Sequence, residues 1–128
     1  MNFPANLQYC KSHEWVKDLG GGLFEIGISD YAQKELGDIV YINLPKAGDE
    51  LKEGVSFAEV ESVKAVSEIL SPINGIVREV NDAVISSPDS VNKTPYEAWF
   101  IRAEGSLDKG SLPEGTLLSA AEYENSLK

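Results

Sequence analysis

One cysteine, one histidine and one methionine stand in 128 residues, and these shortages exclude several kinds of chemistry. Cys10 alone rules out an internal disulfide. Cys10 and His13 cannot fill a tetrahedral zinc site without carboxylates or a second chain, so no metal site is expected. Basic residues are also scarce: 11 Lys and Arg against 21 Asp and Glu give a formal net charge of −10 and a pI near 4.5. Such a surface repels phosphate backbones and anionic lipid, which makes nucleic acid and membrane poor partners. A protein with basic docking patches fits better. No apolar run approaches the ~20 residues that span a bilayer. The start, Met1-Asn2-Phe3-Pro4, has neither the basic-then-apolar pattern of a signal peptide nor the Arg- and Ser-rich pattern of a transit peptide. The chain therefore reads as cytoplasmic if bacterial, or as mitochondrial matrix if eukaryotic with its transit peptide missing here.

What is present is ordinary globular composition, 42% hydrophobic and 25% charged, with 11 glycines and 6 prolines spread along the chain. That length suits one domain, 1–128. Short β-branched and aromatic runs alternate with turn residues. Glu14-Trp15-Val16 and the run 23–28 flank Gly20-Gly21-Gly22, a strand–turn–strand signal. Further runs occupy 38–44, stopped by Pro45, then 55–61, 66–70, 76–80 and 99–103. Two stretches read as helical. Asp30 can cap a short helix through Gln33, with Gly37 as its stop. Ser119-Ala120-Ala121-Glu122 is a capping box that opens a C-terminal helix over about 119–127. The Gly-, Ser- and Pro-rich stretch 105–115 reads as a connector. Many short strands and two small helices predict a mainly β sandwich or barrel.

The segment with chemical potential runs from Phe57 to Pro72. It reads as strand, tight reversal, strand, a hairpin over about 55–72 with Lys64 near its tip. A lysine inside a strand-forming run either points to solvent as an edge residue or sits at a turn. At a turn its ammonium projects from a stiff support, where an enzyme can acylate it and give it a long arm that serves several active sites at high effective concentration. Spacing alone leaves both readings open.

The residues around Lys64 add a resemblance. Glu61-Ser62-Val63-Lys64-Ala65 is similar to the lipoylation motif of glycine cleavage H-proteins. Other matches are His13-Glu14-Trp15-Val16, the stretches 27–33 and 36–41, Leu44-Pro45, Ser71-Pro72 with Gly75, Val80-Asn81, Pro88 with Val91-Asn92, and Pro95-Tyr96. Biotin carriers resemble the hairpin but place methionines beside the lysine, where this chain has Val63 and Ala65. Lipoyl domains of 2-oxoacid dehydrogenases usually have an aspartate before the lysine.

The resemblance implies a barrel-sandwich hybrid, two antiparallel sheets face to face with Lys64 on a hairpin turn and helices appended. It implies lipoate as a covalent amide on Lys64, recognised through Glu61, Ser62, Val63 and Ala65. It implies a non-catalytic carrier that lipoyl-attaching enzymes modify and three enzymes of the glycine cleavage system visit. The pyridoxal-phosphate P-protein loads an aminomethyl group from glycine, the T-protein passes the one-carbon unit on, and the flavoprotein L-protein reoxidises the arm. Ser12, Glu14, Ile28 and Glu68 match a groove that shelters the loaded arm. The sequence departs from the family in the segment Pro95-Tyr96-Glu97-Ala98-Trp99, one residue short of the usual loop, and in Glu35, where some relatives have a histidine. An alternative is a relay hub that donates lipoyl or octanoyl groups to other proteins from the same lysine. An enzyme built on Cys10 and His13 is disfavoured, because three residues apart they fall on opposite faces of an extended strand.

Overall fold

A computed structural model describes residues 1–106 and 117–127. In chain order the elements are β1 (Gln8–Cys10), β2 (Glu14–Gly20), β3 (Leu23–Ile28), α1 (Asp30–Leu36), β4 (Ile39–Asn43), β5 (Glu50–Leu51), β6 (Ser56–Ser62) and β7 (Val66–Leu70). Then follow β8 (Asn74–Val80), α2 (Asp82–Ser86), α3 (Ser90–Lys93), β9 (Ile101–Ser106), β10 (Leu117–Leu118) and α4 (Ala120–Ser126). One sheet has seven strands in the order β10-β1-β2-β3-β9-β8-β5 and the other three in the order β4-β6-β7. Every strand pairing is antiparallel. The mainly β sandwich with a short internal and a C-terminal helix is therefore the architecture found, and among the described residues neither sheet closes on itself.

Alternation in the strands sends one face of each sheet inward. Val16, Ile26 and Ile28 from the large sheet pack in one core with Ile42, Val60 and Ile69 from the small one, all buried. The β2–β3 reversal uses Gly20, Gly21 and Gly22 at φ 89°, 63° and 82°, left-handed conformations that glycine adopts without a Cβ clash. A second cluster is aromatic. Tyr9, Trp15 and Tyr123 are fully buried there, and Tyr9 stacks on Tyr123 with centroids 4.8 Å apart. Burying a large apolar side chain stabilises a fold by roughly 1.5–3 kcal/mol, so Tyr123 is what fastens α4 to β1.

Four readings change. The α1 helix is capped by Ser29, whose Oγ accepts from the Ala32 N–H at 3.1 Å, while Asp30 accepts from the Gln33 side chain at 2.7 Å. Gly37 does end it, at φ 78°. The 99–103 run starts as a strand only at Ile101 and continues to Ser106, so the connector begins later than Gly105; residues 107–116 lie outside the described residues. Cys10 and His13 do not share an extended strand. The chain reverses between β1 and β2, the His13 N–H bonds the Cys10 carbonyl at 2.9 Å, and His13 has φ 80°. The short elements β1, β5, β10, α2 and α3 are additions to the strands and helices read from the sequence. The Ser119–Glu122 capping box is present, with Ser119 N–H to Glu122 at 2.9 Å and Glu122 N–H to Ser119 Oγ at 3.2 Å. Among the described residues no helix is long and apolar enough to cross a membrane.

Candidate functional site

The β6–β7 hairpin pairs Glu61 with Val66, Val60 with Ser67 and Glu59 with Glu68. This leaves Ser62-Val63-Lys64-Ala65 as the reversal. Ser62 closes it: its N–H donates to the Ala65 carbonyl at 2.8 Å, and its Oγ accepts from the N–H groups of Lys64 at 3.3 Å and Ala65 at 3.1 Å. A serine suits this position because its short side chain satisfies turn donors that the ladder cannot reach. Val63, Lys64 and Ala65 are exposed, Val63 at 69%. Glu61 is half-buried in the row Tyr41–Glu61–Val66 across the small sheet. Among the described residues no carboxylate lies within 4.0 Å of the Lys64 ammonium. The amine is free to be approached.

The tip also leans on a neighbour. The Val63 N–H donates to the Asp38 carbonyl at 3.0 Å, and the Lys64 stem passes over Gly37, where a Cβ would lie 3.5 Å from Lys64 Cε.

Of the four groove candidates, three come together. Glu14 stands opposite Ile28 in the β2–β3 register, and the Ser12 hydroxyl donates to Glu14 Oε1. Glu14 Oε2 accepts from the Leu70 N–H of β7 at 3.4 Å, so this carboxylate bridges the two sheets. It is 1% exposed, and Ile28 is equally buried. Burial pushes the Glu14 carboxyl above its usual 4.5, against hydrogen bonds from Ser12, the Leu70 amide, its own backbone and Cys10 that favour the anion. Glu68, in contrast, is exposed, two residues before Leu70 on β7, and no hydrogen bond or ion pair joins it to Ser12 or Glu14. A cleft of about 800 Å³ runs along the β5–β8 edge, lined by Glu50, Glu53, Asn74 and Ile76 among others; none of the sequence candidates borders it.

Cys10, a thiol without a task in the sequence, is buried beside Glu14, a proximity visible only once the tight reversal over residues 11–13 is known. Likewise Asn92 belongs to a motif without an evident task, and its side chain bonds the Ile39 N–H, the Gly37 carbonyl and Gln33 Oε1.

Taken together, the fold and site define a small antiparallel β protein that holds one lysine out on a stiff, side-chain-locked turn and buries a bridging carboxylate between its sheets. Comparison with known proteins narrows this class. A family model described as Glycine cleavage H-protein matches residues 7–128. A glycine cleavage system H protein of Lachnoclostridium phytofermentans is 45% identical over 128 residues, covering 100% of this chain and 97% of the relative. That of Oceanobacillus iheyensis is 53% identical over 125 residues, covering 97% and 96%. The crystal structure of a glycine cleavage system H protein from Mycobacterium marinum superposes with a TM-score of 0.86 at 33% identity, covering 97% of this chain and 98% of that one. The chain belongs to the glycine cleavage H-protein family.

Proposed function

We propose that this protein is the lipoyl carrier of a glycine cleavage system, and that Lys64 is the attachment residue. The observation that carries the reading is the exposed Lys64 at a turn locked by Ser62, within Glu61-Ser62-Val63-Lys64-Ala65, on a chain of this family. The residues fit the group: the Lys64 amine is unpaired within 4.0 Å among the described residues, and the turn around it is fixed by hydrogen bonds rather than by the lysine itself. Lipoate, when attached as an amide, supplies a dithiolane on a long arm that accepts a one-carbon unit and reducing equivalents.

This chain's residues supply support, not catalysis. Glu61 and Ser62 hold the reversal in shape, and Val63 and Ala65 offer small exposed flanks to the lipoyl-attaching enzyme. The partners are then the P-protein that produces an aminomethyl group from glycine, the T-protein that takes the carbon onward and the L-protein that restores the disulfide. Lipoate is the only cofactor in this reading, and the compartment is the cytoplasm of a bacterium. Glu14, held by Ser12 and the Leu70 amide, gives a cationic aminomethyl group a charge-assisted acceptor, and Ile28 gives it an apolar wall. Glu68 takes part only from the exposed rim.

The test is incubation of the full chain with a lipoate-attaching enzyme, ATP and lipoate. The lipoyl mass is expected on the peptide that contains Lys64, and Lys64→Arg is expected to take no label. A lipoyl group on any other lysine overturns the assignment.

A further inference from the structure

We infer that Asn92 is a positioning residue for Lys64: it locks the α1–β4 joint against which the hairpin tip rests, and so sets the direction in which the attachment amine leaves the protein. The inference rests on the proposal that Lys64 is the attachment residue.

Asn92 lies on α3, far from Lys64 in sequence, and all three of its side-chain hydrogen bonds go to one place. Its Oδ1 accepts from the Ile39 N–H at 2.9 Å. Its Nδ2 donates to the Gly37 carbonyl at 2.8 Å and to Gln33 Oε1 at 3.0 Å. These three bonds grip the last turn of α1, the glycine that ends it and the first residue of β4. An asparagine is needed because one planar amide must accept on one side and donate twice on the other. The chain of bonds extends in both directions. Gln33 Nε2 donates to Asp30, which also accepts from the Asn2 N–H at 2.9 Å. On the other side, between Gly37 and Ile39, the Asp38 carbonyl receives the Val63 N–H at 3.0 Å.

The joint meets the lysine in two ways. Val63, the residue before it, is hydrogen-bonded to Asp38. The Lys64 stem runs over Gly37, within van der Waals reach of the position a Cβ would take there (3.5 Å to Lys64 Cε), and the φ of 78° at this residue is one only glycine adopts readily. A hairpin tip projecting alone into solvent would sample many directions. A tip tied to a second element through its backbone, with the stem packed against that element's end, samples few. Since a reacting group misplaced by about 1 Å can cost up to ~100-fold in rate, the joint has a measurable consequence for amide formation on Lys64.

The experiment compares full-length wild type, Asn92→Ala, Asn92→Asp and Lys64→Arg with a purified lipoate-attaching enzyme, ATP and lipoate. Val77→Ala, a core change in β8 away from the joint, serves as a stability control. Asn92→Asp keeps an acceptor for Ile39 and loses both donors, so it reports if the alanine variant does not fold. Hydrogen exchange of the Val63 amide is read in parallel, with the Phe100 amide, bonded to Ile26 at 2.8 Å, as reference. The Asn92 variants are expected to lose between ~10- and ~100-fold in kcat with little change in KM, and to exchange the Val63 amide faster while Phe100 holds. Val77→Ala is expected to melt lower yet keep the wild-type kcat and Val63 exchange. A wild-type kcat in the Asn92 variants, a loss confined to KM, or a loss that Val77→Ala matches overturns the inference. Label retained by Lys64→Arg overturns instead the attachment reading, and the Val63 exchange still decides whether Asn92 controls the tip.

Discussion

Cys10 and Glu14 face each other across the first chain reversal. The β1–β2 register pairs Gln8 with Val16 and Tyr9 with Trp15, and the next step puts the Cys10 thiol beside the Glu14 carboxylate. Both are buried, at 4% and 1% exposure. A thiol beside a carboxylate in a dry site is the reverse of an activated nucleophile: burial and the neighbouring negative charge both push its pKa well up. His13, the nearest imidazole in sequence, turns the other way, its Nδ1 2.7 Å from the Tyr123 hydroxyl.

Cys10 should therefore be inert in the folded protein. Iodoacetamide at mildly alkaline pH is expected to leave native Cys10 unmodified over a time in which the denatured chain reacts fully, because only thiolate attacks and only unfolding exposes it. Mass spectrometry of the two samples checks this. Rapid alkylation of native protein would contradict the burial and the raised pKa together.

Glu14 carries a pH-dependent cost. Its folded pKa lies above the usual 4.5, chiefly from desolvation. A carboxyl raised on folding adds stability below pH 4.5 and loses it as pH rises through the folded value, so the buried anion is least favourable near neutrality. Glu14→Gln removes the charge while keeping an acceptor for the Ser12 hydroxyl. Relative to wild type, the variant is expected to gain stability in going from about pH 4 to about pH 7, because only the wild type has to bury a carboxylate as the pH rises. Urea unfolding at the two pH values measures it, and a relative stability that falls with rising pH would refute the linkage. If the proposed groove holds, the same variant is expected to hold a loaded cationic arm more weakly.

His13 has the opposite sign. Burial lowers its pKa below 6.5, with the Glu35 charge opposing. A base depressed on folding adds stability above pH 6.5 and loses it as pH falls from there through the folded value. His13→Asn removes the titration, and asparagine tolerates the left-handed φ of 80° better than most residues. Melting temperatures of wild type should drop between about pH 7 and about pH 5.5 by more than those of the variant. Parallel curves for the two proteins would show that the imidazole is not linked to folding.

How far the sequence anticipated these features depends on their range. Strands such as β2, β3, β6 and β7 follow from local runs of strand-forming residues, helped between β2 and β3 by turn glycines, and the Ser119–Glu122 box is a four-residue signal. Ser29 and Asp30 are adjacent and both able to cap, so sequence could not choose between them; the helix begins at Asp30, which makes Ser29 the cap. The two-residue strands β5 and β10 and the short helices α2 and α3 are too brief for any period to register. The exposed turn at Lys64 was legible because a reversal between two strand-forming runs is a local signal. The Glu14 site was legible only in part, because its burial needs Leu70 from the other sheet and its thiol neighbour needs a reversal that leaves His13 at positive φ. Glu68 and Leu70 are two residues apart, yet only Leu70 reaches Glu14, and only through its backbone.

Gly27 shows what a family motif can encode without touching a ligand. It pairs with Trp15 across β2–β3, and the indole lies directly over it: a Cβ at Gly27 would fall 2.7 Å from Trp15 Cε2 and Cζ2. The ring cannot move aside, because Trp15 is fully buried and its Nε1–H donates to the Pro95 carbonyl at 3.0 Å. Gly27→Ala must therefore part the strands or break that bond, and overpacking of this kind costs about 1–3 kcal/mol. The neighbours of this pair are Glu14 and Ile28, so the same displacement disturbs the proposed groove. The variant is expected to unfold at lower urea with altered Trp fluorescence, to accept lipoate on Lys64 at near wild-type rate, and to shelter the loaded arm less well. Wild-type stability in Gly27→Ala would mean that the indole does not rest on this glycine. A stability loss that leaves the loaded arm's lifetime unchanged would separate Trp15 from the groove beside it.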